Sequence, residues 1–582
     1  MKHNILTIIA TAAALLCMGS CDDFLDVTPS EGVSEEAAYS DPEAMVTAAY
    51  ASLGNDWYTC PINLWPYGSL ASDDALKGGN GISDTEYHAI ETWSTLSPST
   101  PGDYLNELWC ALYAGVSRCN RALLSLTDYG NEKLGEEQAK IRIAEVRFLR
   151  GLFYFKLIQV WHKVPYIDEE AVRGLTEQSV TNDMGYEELM GKVIEDFVYA
   201  RENLPEMQDD KGRANRAAAA AMLAKCYLTI AYGNGYEEST GYAHVNREYL
   251  KKVLESTDYI INSGRYALED DFGDIFMEDG RNGRESIFAV QHSNSTEDNT
   301  LYGRSNWGNV LNGCYGIWTR GMDFHKPSQN LVNAFKTKDD GIPMFDDYEA
   351  DHNTYPVLGA PTSQKWDPRL FHTVGLPTFP YKYEESYMLS AEENSMCPST
   401  YGCYTSLKEV PQRSKGETVS EDNWQCFAMN DYVIRYAEVM LWRAEAFIEL
   451  GDNPQAMEMI NKIRERAKKS VMKHIPYAAD QCYIALYNSG PQLSQDEMRK
   501  RLRWETRLET AMESERFFNL RRWGLASKTL NSYFDAEQHS CYGEVDYAGY
   551  YGEATFTPGK NEYWPIPAEQ MRTGLYTQNQ NY

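Results

Sequence analysis

Residues 432–467 read YVIRYAEVMLWRAEAFIELGDNPQAMEMINKIRERA, and their spacing decides the fold. Apolar side chains recur at intervals of three and four on both sides of a break at Gly451, a residue that stops helices. Residues 452–454 turn the chain, and a second helix is expected to start near Gln455. Alanines at 444, 446 and 456 are small enough for the two helices to meet closely. The stretch is one antiparallel helix pair.

At about 36 residues the pair is close to the ~34-residue period of tetratricopeptide repeats. A single pair cannot bury its own apolar face, so others must stack beside it. The sequence supplies them. DPEAMVTAAYASL (41–53) opens with Asp41 as cap and Pro42 in the first turn, a helix start signal. Residues 103–126 repeat apolar positions at three and four. Residues 137–161 are apolar nearly all round, which marks a central helix covered on several sides. The alanine-rich segment 214–232 invites close approach by a neighbour, and NLPEMQDDKGR (203–213) is a polar connector. Between about 272 and 431 the helical period is lost in favour of Gly, Pro, Asn and aromatics. There ESIFAVQ (285–291) alternates like a strand. Loop regions of this length are usually functional surfaces. The fold class expected is mainly α: a tetratricopeptide-like α-α superhelix with an inserted loop-rich, mixed domain.

The amino terminus is of another kind. Lys2 and an apolar run of about twelve residues form a secretory signal, too short for a bilayer span of roughly 20. In LLCMGSCDDFLDVTP (15–29), Gly19 and Ser20 stand before Cys21, and acid follows at once. Cleavage after residue 20 makes Cys21 the first residue, where its thiol can carry a lipid anchor. Met18 stands where bacterial lipoboxes usually carry Leu.

The net charge of −31 disfavours nucleic acid as a partner. The cysteines form no CxxC pair; Cys397 and Cys403 could bridge in an oxidising compartment, or remain free thiols. Cys110 and Cys119 are too far apart along one helix to bridge. No HExxH, Walker-type loop or GxSxG elbow occurs, and the ten His lack metal-ligand spacing. The pairs Asp73–Asp74, Asp339–Asp340 and Asp346–Asp347 read as solvated loop faces rather than catalytic carboxylates. The protein is expected not to be an enzyme. No organic cofactor is implied; the acidic loop DDGIPMFDDYEAD (339–351) offers hard oxygens that suit a structural Ca²⁺, without EF-hand spacing.

Nine segments, in register along the mature chain, resemble the SusD/RagB family of outer-membrane nutrient-binding lipoproteins of Bacteroidetes-type bacteria. They begin with CDDFLDVTPSEGVSEEAAYSDPEAMVTAAYASL, EVRFLRGLFYFKLIQVWHKVP and GRANRAAAAAMLAKCYL. LVNAFKTKDDGIPMFDDY, WDPRLFHTV, DYVIRYAEVMLWRAEAFIELG and INKIRERA follow, then ETRLETAMESERFFNLRRWG and the terminal YWPIPAEQM with QNQNY. Two departures are visible: His162 and Ser514 stand where the family often has Gly. The resemblance implies a signal peptide at 1–20, an N-terminal helical region at 21–230, a helical connector at 231–284 and a C-terminal region at 285–582. The last region includes the loop-rich ligand-binding part, about 272–431, and helical repeats, about 432–525. It further implies a lipid-anchored protein on the outside of the outer membrane. There it would bind oligosaccharide or polysaccharide and deliver it to a SusC-like TonB-dependent transporter. The acid after Cys21 would then be the surface-export signal.

Sugar rings stack their C–H faces on flat aromatic side chains, and their hydroxyls need amide, carboxylate or guanidinium partners. Two stretches offer both. EYHAIETWSTL (86–96) places Trp93 in an expected loop between helices. LYGRSNWGNVLNGCYGIWTRG (301–321) sets Tyr302, Trp307, Tyr315 and Trp318 among Asn309, Asn312 and Arg320, with glycines that would let a ligand approach the backbone. Trp442, Trp504 and Trp523 fall in helical segments and are expected to pack. The alternatives are a peptide- or protein-binding import partner using the superhelix groove, and a surface glycoside hydrolase.

Overall fold

The computed structural model describes residues 35–54, 59–94, 96–97, 104–233, 245–293, 311–318, 321–415, 426–488, 493–537 and 551–582. The expected signal segment and Cys21 lie outside them. Helix α1 (Pro42–Ala51) begins as expected, with the Asp41 carboxylate accepting from the Ala44 N–H at 3.1 Å. Helices α2 (Thr85–Thr92), α3 (Tyr104–Ser125) and α4 (Glu136–Trp161) follow. From Val146 to the end of α4 every residue except Arg147 and Lys156 is buried, so this helix is central. Its one buried arginine, Arg150, is matched by Asp196 of helix α5 (Tyr186–Asn203) through two contacts of 2.8 Å. The α3–α4 contact needs Gly115, where a Cβ would lie 2.6 Å from the Phe153 ring.

Helices α6 (Arg216–Ala231) and α7 (Arg247–Ile261) continue the stack. Beyond the loop-rich region come α8 (Tyr436–Leu450), α9 (Asn453–Lys469), α10 (Gln495–Thr510), α11 (Arg516–Arg522) and α12 (Ala526–Glu537). Each helix from α3 to α8 packs on the next, and α8 also packs on α9 and α10. The contact of α7 with α8 closes the stack across the whole intervening region, which is therefore an insertion into a continuous superhelix. Gly451 ends α8 in a left-handed conformation (φ 91°), and Asp452 caps α9.

One expectation is corrected inside the deciding stretch. Residues 432–435 are not helical; Asp431–Arg435 is a strand paired antiparallel with Ser286–Val290, the segment that reads as a strand. Ile434 is β-branched and pairs with Phe288 there, which outweighs a helical period shared with the next residues. The Tyr436 N–H donates to the Glu285 carbonyl at 2.8 Å, so the strand runs straight into α8.

The insertion has short two-residue ladders rather than a large sheet, among them Lys336–Thr337 with Lys365–Trp366 and Val374–Gly375 with Thr405–Ser406. It carries its own small core around Trp318, Tyr381, Leu407 and Phe427. A buried ion network ties it to the helices. The Arg435 guanidinium reaches Glu509 at 2.8 Å and Glu513 at 2.6 Å; Arg369 reaches Asp367 at 2.8 Å and Glu509 at 3.0 Å. Cys110, Cys119, Cys397 and Cys403 are not joined in disulfides. Trp442 and Trp523 are buried as expected, and the Trp504 indole donates to the Ala334 carbonyl at 3.1 Å. Among the described residues no helix is long and apolar enough to cross a membrane.

Candidate functional site

Residues 77–84 form a loop ahead of α2. They leave a two-residue ladder, Ala75–Leu76 against Lys326–Pro327, and turn through Gly78 at φ +82°. A Cβ on Gly78 would lie 1.9 Å from the Asp323 carbonyl oxygen, so glycine is required for the two segments to touch. The His325 N–H donates to the Lys77 carbonyl at 3.1 Å, and the Tyr401 hydroxyl donates to the Gly81 carbonyl at 2.6 Å. Lys77 is buried over the Phe324 and Tyr401 rings at 5.3 and 5.4 Å, and burial pulls its ammonium below the ordinary lysine range.

The second segment, 311–318, is stitched to the same strand. The Asp323 N–H donates to Gly313 and the Phe324 N–H to Leu311, at 3.0 and 3.1 Å. At Gly316 a Cβ would meet the Glu393 carbonyl oxygen at 2.5 Å. The expectation that these glycines admit a ligand is corrected at Gly316: the space is filled by another loop of the same chain. The outcome is one composite surface made by 77–84, 311–318 and 392–404. Tyr315 is 48 % exposed on segment 311–318, while Ile82, 61 % exposed, and Asn80 are the exposed side chains of loop 77–84.

The other described candidates lie inside. Trp93 is the left-handed C-cap of α2, not an exposed loop ring. It is 3 % exposed, packs 5.0 Å from the Phe517 and Trp564 rings, and donates its Nε1–H to the Ala71 carbonyl at 3.2 Å. Trp318 is 2 % exposed within the core of the insertion, with the Arg413 guanidinium 4.8 Å over its ring. Asn312 is buried and donates to the Glu409 carboxylate at 2.9 Å, which also meets His325 Nδ1 at 2.9 Å. Rings of this size bury more apolar area than a loop surface can leave exposed, so a nearby core claims them. Tyr302, Trp307, Asn309 and Arg320 lie outside the described residues. Of the described candidates, Tyr315 is the one that faces solvent. Asn80 and Ile82, exposed on loop 77–84, were missed; the signal for that loop was the run KGGNG (77–81), whose glycines mark a close loop crossing.

Asp73 and Asp74, expected on a solvated loop, are buried against Arg507 and Arg516 at 2.8 Å. Burial pushes the Asp73 carboxyl up, but the two guanidiniums overcome it and hold it at about 2. They are structural ion pairs. In the acidic loop, Asp346 pairs with Lys500, and the Glu349 carboxylate accepts from Asn330 at 2.7 Å and Asn333 at 3.2 Å. Among the described residues no three His, Cys, Asp or Glu side chains converge in a metal-binding group. Tyr315 offers an exposed ring and a hydroxyl, groups suited to holding a polyhydroxylated ligand by stacking and hydrogen bonds.

Residues 284–582 match a family described as the SusD family, and residues 23–228 match one described as starch-binding associating with outer membrane. A SusD-like protein of Bacteroides ovatus is 25% identical over 80% of this chain and 77% of its own. SusD-like protein P2 of Formosa agariphila is 24% identical over 91% of this chain and 92% of its own. The starch-binding protein SusD of Bacteroides thetaiotaomicron is 28% identical over 48% of this chain and 49% of its own. Among solved structures, a laminarin-binding SusD-like protein superposes with a TM-score of 0.65 at 21% identity, covering 93% of this chain and 99% of that one.

Proposed function

This chain belongs to the SusD family, and on that premise we propose that it is a non-catalytic glycan-binding protein whose ligand rests on the face around Tyr315. The observation that carries the reading is the exposed Tyr315 ring on segment 311–318, which is hydrogen-bonded to 323–324 beside the contact of His325 with loop 77–84. Starch and laminarin, the ligands in the names of two similar proteins, are both neutral glucans, so glucans head the candidates. The acidic chain suits a neutral ligand better than a polyanionic one.

Cys21 would carry the lipid that holds the protein on the outer face of the outer membrane. A SusC-like TonB-dependent transporter would receive the bound glycan. Calorimetry of the mature chain with starch, laminarin and other oligosaccharides, alongside peptides, tests the reading. Saturable binding of a glycan without cleavage is the expected result. Binding of peptides alone would overturn it in favour of a protein-binding groove, and release of shortened glycan would overturn it in favour of a hydrolase.

A further inference from the structure

A cleft opens between the helical stack and the insertion, enclosing about 1170 Å³ with its mouth included. Among the described residues, none of 77–84 or 311–318 lines it, so it is distinct from the face around Tyr315. One wall comes from α4 and α6, through Phe155 and Met222. The facing wall comes from the insertion, through Phe276, Met277 and Met429, and residues 512–515 close one end. Just over half of its lining residues are aliphatic side chains, methionines and phenylalanines. Methionine is unbranched and polarizable, and it moulds itself to apolar ligands of varied shape.

The charged groups in the wall are balanced, four basic against four acidic, and two pairs of them hold one another. Lys225 lies 2.6 Å from Glu515, Lys408 lies 2.6 Å from Glu513, and Lys156 donates to the Ile62 carbonyl at 2.9 Å. An ionic ligand would have to break such pairs in a poorly solvated place, which is unfavourable. An uncharged one need not. The Lys225–Glu515 pair also borders a second cavity, of about 520 Å³, that contains Trp442, Tyr186 and Tyr563. It is thus a partition between two spaces.

The backbone of the wall is strained. Leu64, Met512 and Ser514 all line the cleft and all have positive φ, at 63°, 62° and 64°. Such conformations in residues other than glycine are costly and cluster at ligand clamps. Here they are held in place: the Ser514 N–H donates to Ser69 Oγ at 3.1 Å, and Arg516 grips Asp73 at 2.8 Å. We propose that this cleft is a second binding site, for an uncharged small molecule with a largely apolar body, such as a substituted aromatic ring.

The probe is 1-naphthol, titrated into the mature chain carrying methyl-¹³C methionine, with conservative Met→Leu variants assigning the resonances. The methyls of Met222, Met277, Met429 and Met512 are expected to shift saturably while methionines away from the cleft do not. 1-Naphthoate, the charged counterpart, is expected to bind at least tenfold more weakly, and a glycan bound elsewhere should leave the shifts unchanged. Met222→Trp, which fills the cleft, should weaken naphthol binding at least tenfold. No saturable shift in the four methyls, equal binding of naphthoate, or displacement by glycan would each overturn the proposal. The NMR arm decides the matter even where the tryptophan variant fails to fold. Because this readout needs no glycan, failure of the glycan reading leaves it intact.

Discussion

The Trp318 indole donates its Nε1–H to the Tyr381 hydroxyl at 2.9 Å, and that hydroxyl donates onward to the Pro411 carbonyl at 3.2 Å. A ring so engaged is a fastening inside the insertion, not a platform for ligand. Trp318→Ala is therefore expected to destabilise the protein by about 3–5 kcal/mol, the cost of emptying a large core site. Tyr315→Ala should leave stability within about 0.5 kcal/mol of wild type. It should weaken glycan binding about tenfold, ~1.4 kcal/mol. Urea unfolding and calorimetry on both variants separate the two roles; equal loss of stability would place Tyr315 in the core as well.

Arg435 lies wholly buried where the insertion strand becomes α8, and it neutralises Glu509 and Glu513 together. Removing it leaves carboxylates uncompensated in a dry interior. Arg435→Met should cost about 3–5 kcal/mol. Hydrogen exchange should show the paired strands Ser286–Val290 and Asp431–Arg435 opening with it.

His162 and Ser514, the two positions where the family often has glycine, both have positive φ, at 62° and 64°. Ser514→Gly relieves a strain of roughly 1–2 kcal/mol, offset in part by the entropy of a freer unfolded chain. A net gain of about 0.5–1 kcal/mol is expected. His162→Gly should gain less, because the imidazole stacks on Tyr186 and Tyr563 at 4.8 and 4.4 Å. The facing glycine behaves in the opposite way: a Cβ on Gly68 would lie 1.8 Å from the Ser514 carbonyl oxygen. Gly68→Ala is expected to destabilise by roughly 3 kcal/mol or more. Thermal unfolding of the three variants ranks them.

Lys382 is fully buried, with its ammonium donating to the Leu407 carbonyl, and burial outweighs Glu278 to pull it down to about 7. The unfolded chain keeps this lysine protonated up to about 10.4. Between about pH 7 and 10 the unfolded state therefore binds the extra proton, and stability rises with pH over that window. Lys382→Met should show a smaller rise than wild type when urea midpoints are compared at pH 7, 8.5 and 10. Parallel curves would show that Lys382 is not the group responsible.

The helical half was legible because its signals are local. Asp41 with Pro42 marked a start, Gly451 a stop, and the apolar spacing of 137–161 a buried helix; all three are where the chain placed them. The strand at Asp431–Arg435 was not legible from its own residues, since its partner lies some 140 positions earlier in the chain. The rings were misjudged for a related reason. Nothing local to Trp93 announces Phe517 and Trp564, and nothing local to Trp318 announces Tyr381 and Phe427.

By itself the sequence determined the helix pairs, the interruption between them and the family, because hydrophobic period and capping act over a few residues. Only the tertiary structure decided that α7 meets α8, that Asp73 and Asp74 are buried counter-ions, and that Tyr315 stays outside while Trp318 goes in. Burial and charge pairing depend on which distant surfaces meet, and that is a property of the packed chain rather than of any stretch within it.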